Sequence, residues 1–213
     1  MTSAAARADL VLSGIEIAGT LAFALSGFIE ATRKRMDAVG IAAVAFIAAF
    51  GGGTLRDILL DRRPFFWVER PGYVWLILVL TVAGLATMRA RHVEFTGRAM
   101  RWPDALGLGL FSVAGASQAL EAGQPLIVAA LMGVVTGVFG GVMRDILCNE
   151  VPTIFHDRRP YAVCSFAGAW TFVALHALGA QGWPALAAGI VVTAGLRMLA
   201  LVRGWRVPGW VDR

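Results

Sequence analysis

Two short stretches of this 213-residue chain place an arginine and an aspartate side by side just after glycines, and both lie inside apolar segments. The first is Gly51-Gly52-Gly53-Thr54-Leu55-Arg56-Asp57. The second, Gly140-Gly141-Val142-Met143-Arg144-Asp145, begins 88 positions after Gly52. Consecutive glycines each weaken a helix by about 1 kcal/mol relative to alanine, so the triplet predicts a bend or an unwound turn. Carbonyls freed there cannot face lipid and must turn to protein or water. An arginine or aspartate at membrane depth costs roughly 2.5–3.5 kcal/mol on insertion scales, so such residues pair or line water. This chemistry suits passage of a polar solute rather than bond-making. No Ser/His/Asp grouping, phosphate loop or His/Cys metal cluster accompanies the motifs, so neither an enzyme nor a cofactor is implied.

Two structural readings stand beside the conduit. Gly133, Gly137 and Gly141 recur every fourth residue, the spacing that lets membrane helices touch. The charges could also clamp the two motifs together, Arg56 to Asp145 and Arg144 to Asp57. Smaller polar groups in the same segments, Ser26, Ser112 and Thr54, offer hydroxyls to a dehydrating ion or bond their own backbone. Glu16 and Asp104, again 88 apart, either serve helix starts and interfaces or attract cations.

The elements that must position these residues repeat as well. At the same offset, Gly19 matches Gly107, Phe23 matches Phe111, Gly27 matches Gly115, Pro64 matches Pro152 and Tyr73 matches Tyr161. Hydrophobic residues make up 58% of the chain and charged residues 15%, with a mean hydropathy of +0.70, which predicts an integral membrane protein. Seven apolar segments are expected as spans of an all-α membrane protein: Leu10–Ala31, Val39–Leu60, Val74–Met88, Ala105–Leu120, Leu126–Leu147, Tyr161–Leu178 and Pro184–Val202. Residues 10–91 and 98–178 form two three-helix copies, residues 183–203 a seventh helix, and 1–213 one transmembrane domain. Three spans per copy is odd, so the second copy enters from the opposite face and the repeat is inverted.

A net charge of +5 and a pI near 10.2 do not imply nucleic acid, because the basic residues sit in connections between spans. Of 19 Lys and Arg, five fall on the side of the amino terminus and fourteen, from Arg33 to Arg197 and Arg213, on the other. The amino terminus is therefore expected outside and the carboxy terminus in the cytoplasm of a bacterial inner membrane. Tyr73, Tyr161, Trp67, Trp75, Trp170 and Trp183 read as an interfacial aromatic belt, and Cys148 and Cys164 as ordinary reduced thiols.

Taken together, the paired glycine–Arg–Asp motifs in two three-helix copies resemble the prokaryotic branch of the trimeric intracellular cation (TRIC) channels, over about Leu10 to Val202. That resemblance implies a homotrimer among membrane lipids, with one pore per protomer passing monovalent cations, chiefly potassium. It also implies kinks at Gly51–Gly53 and at Gly140 and Gly141. Phe139 stands where Gly51 does, so the second bend is expected to be milder. The alternative is a secondary transporter of a small zwitterion such as glycine, which the same inverted repeat would serve.

Overall fold

The computed structural model describes residues 3–87, 99–156, 159–180 and 182–207. The expected end of the third span at Met88, the 89–98 connection, Asp157 and Arg158 lie outside them. Among the described residues the elements are all helical: α1 (Ser3–Arg33), α2 (Ala38–Leu59), α3 (Phe66–Glu69), α4 (Gly72–Thr87), α5 (Arg101–Glu121), α6 (Leu126–Leu147), α7 (Thr153–His156), α8 (Ala162–Ala177) and α9 (Trp183–Arg203).

Local chemistry sets the ends. Asp37 caps α2, its carboxylate accepting from Gly40 N at 2.7 Å. Asp61 and Asn149, 88 residues apart, end α2 and α6 with φ of 51° and 56°, in the left-handed region that these two residue types tolerate. Gly204, φ 66°, closes α9.

Four helical segments are long and apolar enough to cross a membrane: Leu10–Arg33, Ala38–Leu59, Leu126–Leu147 and Trp183–Arg203. At 16 residues, α4 and α8 are apolar but shorter, about 24 Å each at 1.5 Å per residue. Helix α5 has the length without the apolarity, and its position explains why. Thirteen of its 21 residues are buried, so its polar groups meet protein instead of lipid.

Packing follows the duplication. One core joins α1, α2, α3 and α4 through Phe28, Val44, Phe50, Phe66 and Ile77. A second joins α5, α6, α8 and α9 through Val113, Met132, Phe172 and Leu186. Between them α1 meets α5 and α2 meets α6, each helix packing on its own sequence counterpart. The contacts are reciprocal: a Cβ on Gly19 would touch the Phe111 ring at 3.3 Å, and one on Gly107 the Phe23 ring at 2.9 Å. Phe23 and Phe111 themselves stack at 5.6 Å between centroids.

The glycine motifs differ from expectation. Both α2 and α6 remain helical through Gly51–Gly53 and through Gly140 and Gly141, so no turn is unwound and no ladder carbonyl is released. A Cβ on Gly52 would sit 2.1 Å from Thr136 O, and one on Gly140 2.4 Å from Ala48 O. Thr136 and Ala48 are again counterparts. The two backbones touch where these glycines cross, so the close-packing role prevails over the unwound one. Gly53 admits the Phe66 ring, at 2.3 Å from a built Cβ, and Gly141 admits the Tyr161 hydroxyl, at 3.0 Å.

Candidate functional site: two buried arginine–carboxylate clusters

Four residues past each glycine crossing a buried arginine gathers carboxylates. In the first copy Arg56, fully buried, donates from Nε to Asp57 Oδ1 at 2.9 Å and from Nη1 to Glu16 Oε1 at 3.4 Å. Gln118 Nε2 donates to the same Glu16 oxygen at 2.6 Å, and Arg62 donates to Gln118 Oε1. Asp57 Oδ2 accepts from Phe66 N at 2.9 Å, fixing the start of α3, and the Arg56 guanidinium lies 5.2 Å from the Phe66 ring centre.

The second copy repeats the plan on α6. Arg144 donates from Nε to Asp145 Oδ1 at 2.9 Å and from Nη1 to Asp104 Oδ1 at 2.5 Å, and also reaches Ser26 Oγ. Asp145 Oδ2 accepts from Thr153 N at 2.8 Å, fixing the start of α7. Tyr161 donates its hydroxyl proton to Asp104 Oδ1 at 3.2 Å.

The clamp between copies is therefore not what forms. Arg56 pairs with Asp57 and Glu16, Arg144 with Asp145 and Asp104, each within its own copy. The crossing gives the reason. Gly52 meets the turn of α6 before Gly140, while Gly140 meets the turn of α2 before Gly52, so the helices run past each other in opposite senses. Each arginine lies four residues beyond its glycine, about 6 Å at 1.5 Å per residue, and the two diverge.

Along α1 a stripe joins the clusters. Glu16, Thr20, Ser26 and Glu30 are all buried, none more than 6% exposed, and from Glu16 to Glu30 the stripe rises about 21 Å. Thr20 Oγ1 has no hydrogen-bond partner among the described residues. The Phe23–Phe111 stack interrupts the stripe midway. Each arginine triad carries two carboxylates to one guanidinium, an excess of one negative charge.

Other expected site residues stand apart from the stripe. Ser112 bonds Ser165 at 2.6 Å and Leu108 O within the α5–α8 contact. Thr54 accepts from Trp67 Nε1 at 3.0 Å, and with Gly51, Phe139 and Met143 it lines an apolar cavity of about 330 Å³. A second cavity of about 150 Å³ opens at Glu16, lined also by Arg62, Glu69, Arg70 and Gln118. Among the described residues no three His, Cys, Asp or Glu gather as a metal site.

The aromatic belt needs correcting. Tyr73 and Tyr161 are 4% and 5% exposed, because tertiary packing folds both inward. Sequence pattern does not single out Thr20, Gln118, the bonding role of Tyr161, or Arg197, which is buried instead of flanking its span. A lone glutamine in an alanine-rich helix and an arginine one turn inside an apolar one were the available signals.

A family model described as "Glycine transporter" matches twice, over residues 14–89 and 101–177. The chain belongs to that family. Among its relatives, an inner membrane protein of Escherichia coli K12, YadS of the UPF0126 group, is 33% identical over 198 residues, covering 91% of this chain and 93% of the relative. The fold is the TRIC channel fold. A TRIC trimeric intracellular cation channel orthologue from Rhodobacter sphaeroides superimposes with a TM-score of 0.83 at 38% identity, over 92% of this chain and 99% of its own. A further TRIC cation channel, solved to explain conductance, gives a TM-score of 0.83 at 32% identity, over 94% and 98%. Seen in this family setting, the chain is an all-helical membrane protein whose two matched segments each contain one arginine–carboxylate cluster.

Proposed function

We propose that this protein is a potassium-preferring monovalent cation channel with one pathway per protomer of a homotrimer. Seven helices cross the bilayer, arranged as two inverted three-helix copies plus α9. Reciprocal contacts between counterparts support the inversion, since a self-complementary interface implies a two-fold axis. The observation that carries conduction is the buried stripe of α1, which links two clusters of excess negative charge through an interior that lipid cannot reach. Negative excess at both ends favours cations. In this reading the Phe23–Phe111 stack closes the stripe and keeps the pathway shut. The preference for potassium comes from the likeness to TRIC channels alone. The relative's inner-membrane description and the excess of arginine on one side support a bacterial inner membrane with the carboxy terminus in the cytoplasm.

Purified protein in planar bilayers under a potassium chloride gradient tests this. Unitary currents reversing near the potassium equilibrium potential are expected, with Phe23→Ala raising open probability. The family description favours a second reading, uptake of glycine, and the Glu16 cavity, lined by both carboxylates and arginines, would suit a zwitterion. Saturable, gradient-coupled uptake of labelled glycine without unitary steps would replace the channel by that reading.

A further inference from the structure

The two clusters differ in the further cation that stands next to each. In the first copy it is Arg62, an exposed loop residue that reaches Glu16 through the Gln118 amide. In the second it is Arg197 of α9, a helix outside both copies. Arg197 is 3% exposed. Its Nη1 donates to Pro160 O at 3.2 Å, its guanidinium carbon lies 4.7 Å from the Tyr161 ring centre, and its Nε has no partner among the described residues. No described carboxylate pairs with it.

A guanidinium withdrawn from water whose partners among the described residues are a carbonyl and an aromatic face is an expensive arrangement, and its effect falls on Tyr161. A cation over the π face draws charge from the ring and strengthens the hydroxyl as a donor. That hydroxyl sits against Gly141 and donates to Asp104, the acceptor of Arg144. Helix α9 is well placed to hold it there. A Cβ on Gly168 would lie 1.8 Å from Thr193 Oγ1, and one on Gly109 3.0 Å from Ile190 O, so α9 is pressed against α8 one turn, and against α5 two turns, before Arg197.

The geometry points to Arg197 as a positioning residue that, through Tyr161 and Asp104, locks Arg144 and so keeps the second end of the pathway shut. The first end, reached through Gln118 by the exposed loop residue Arg62 and opening on a cavity lined by Arg70, is left as the end that yields first. This inference rests on the conduction reading above, but its first link can be tested without flux.

The chain has two tyrosines, Tyr73 and Tyr161, so protein labelled with ¹³Cζ-tyrosine in nanodiscs gives two signals, and Tyr161→Phe assigns them. Arg197→Met and Asp104→Asn should each move the Tyr161 signal and leave that of Tyr73 in place, while Arg197→Lys should stay near wild type. An unmoved Tyr161 signal in Arg197→Met overturns the proposal. In planar bilayers, Arg197→Met and Tyr161→Phe should each raise open probability by about threefold or more. The double variant should go no further than the larger single effect, because both break one chain. Unchanged or lowered opening, or additive effects, overturns it equally. Should Arg197→Met fail to assemble by size exclusion, Tyr161→Phe decides the current arm: raised opening supports the chain and unchanged opening sinks it. Absence of any unitary current in wild type defeats the conduction reading and leaves the tyrosine signals to judge the contact.

Discussion

The first copy holds its arginine loosely and the second holds it tightly. Arg56 reaches Glu16 at 3.4 Å beside an open cavity, whereas Arg144 reaches Asp104 at 2.5 Å with Ser26 and Tyr161 closing around it. The residue types at the two sites are nearly the same, so the difference comes from the surroundings. On one side stand a solvent-exposed loop and a glutamine. On the other stands an extra helix that, among the described residues, packs chiefly on α5 and α8 of the second copy. A duplicated sequence has thus produced two unequal ends, which a perfect repeat would not supply.

Removing the arginines gives the largest expected effect. Arg144→Met strands Asp104 and Asp145 and should cost about 3–5 kcal/mol, the usual penalty for an unpaired buried charge. Arg56→Met should cost less, since Glu16 keeps its Gln118 bond and borders a cavity. Thermal unfolding of the detergent-solubilised protein compares them, and equal losses would break the proposed asymmetry. Next come the glycines at the crossing. Gly52→Ala and Gly140→Ala each push a methyl against a backbone carbonyl and should lose about 1–3 kcal/mol. Gly51→Ala, facing the Met143 and Phe139 side chains at 3.6 and 3.9 Å, should lose nothing and gain up to about 1 kcal/mol from helix propensity. Were Gly51→Ala the damaging one, a break in the helix rather than contact between helices would be the role of the motif.

Smaller effects separate the two bridging groups. Gln118→Leu leaves Glu16 with the long Arg56 contact and should cost about 1–3 kcal/mol, against about 1 kcal/mol for Tyr161→Phe, which removes one bond from a carboxylate that retains others. The same melting series reports both. The least effect concerns Cys148, which stands where the first copy has Leu60. Burial pushes its thiol up to about 11. A raised thiol stays protonated below that value, so at pH 8 about one molecule in a thousand carries a thiolate. Maleimide labelling followed by intact mass should be slow at pH 8 and quicken about tenfold per pH unit. Fast labelling at pH 7 would show that the end of α6 is open to water.

Much of the plan was legible without coordinates. The 88-residue offset marked Arg56, Asp57, Arg144 and Asp145 before any helix was placed, and the apolar segments located the long helices within a few residues. Pairing was not legible, because Arg56 has carboxylates available in both copies and spacing does not say which way an antiparallel crossing carries it. Nor could spacing choose between two roles for consecutive glycines. Gly52 weakens a helix in isolation, yet here it is what allows Thr136 O to approach.

The sequence by itself determined that there are two copies, that each sets one Arg–Asp pair inside an apolar segment, and that those segments are helices. Composition and periodicity act locally and survive translation along the chain. Only the tertiary structure decided which acid each arginine meets, that the glycines are contacts, and that Tyr161 and Arg197 face inward. Those outcomes depend on the angle at which helices cross, which is fixed by many side chains at once and by none of them singly.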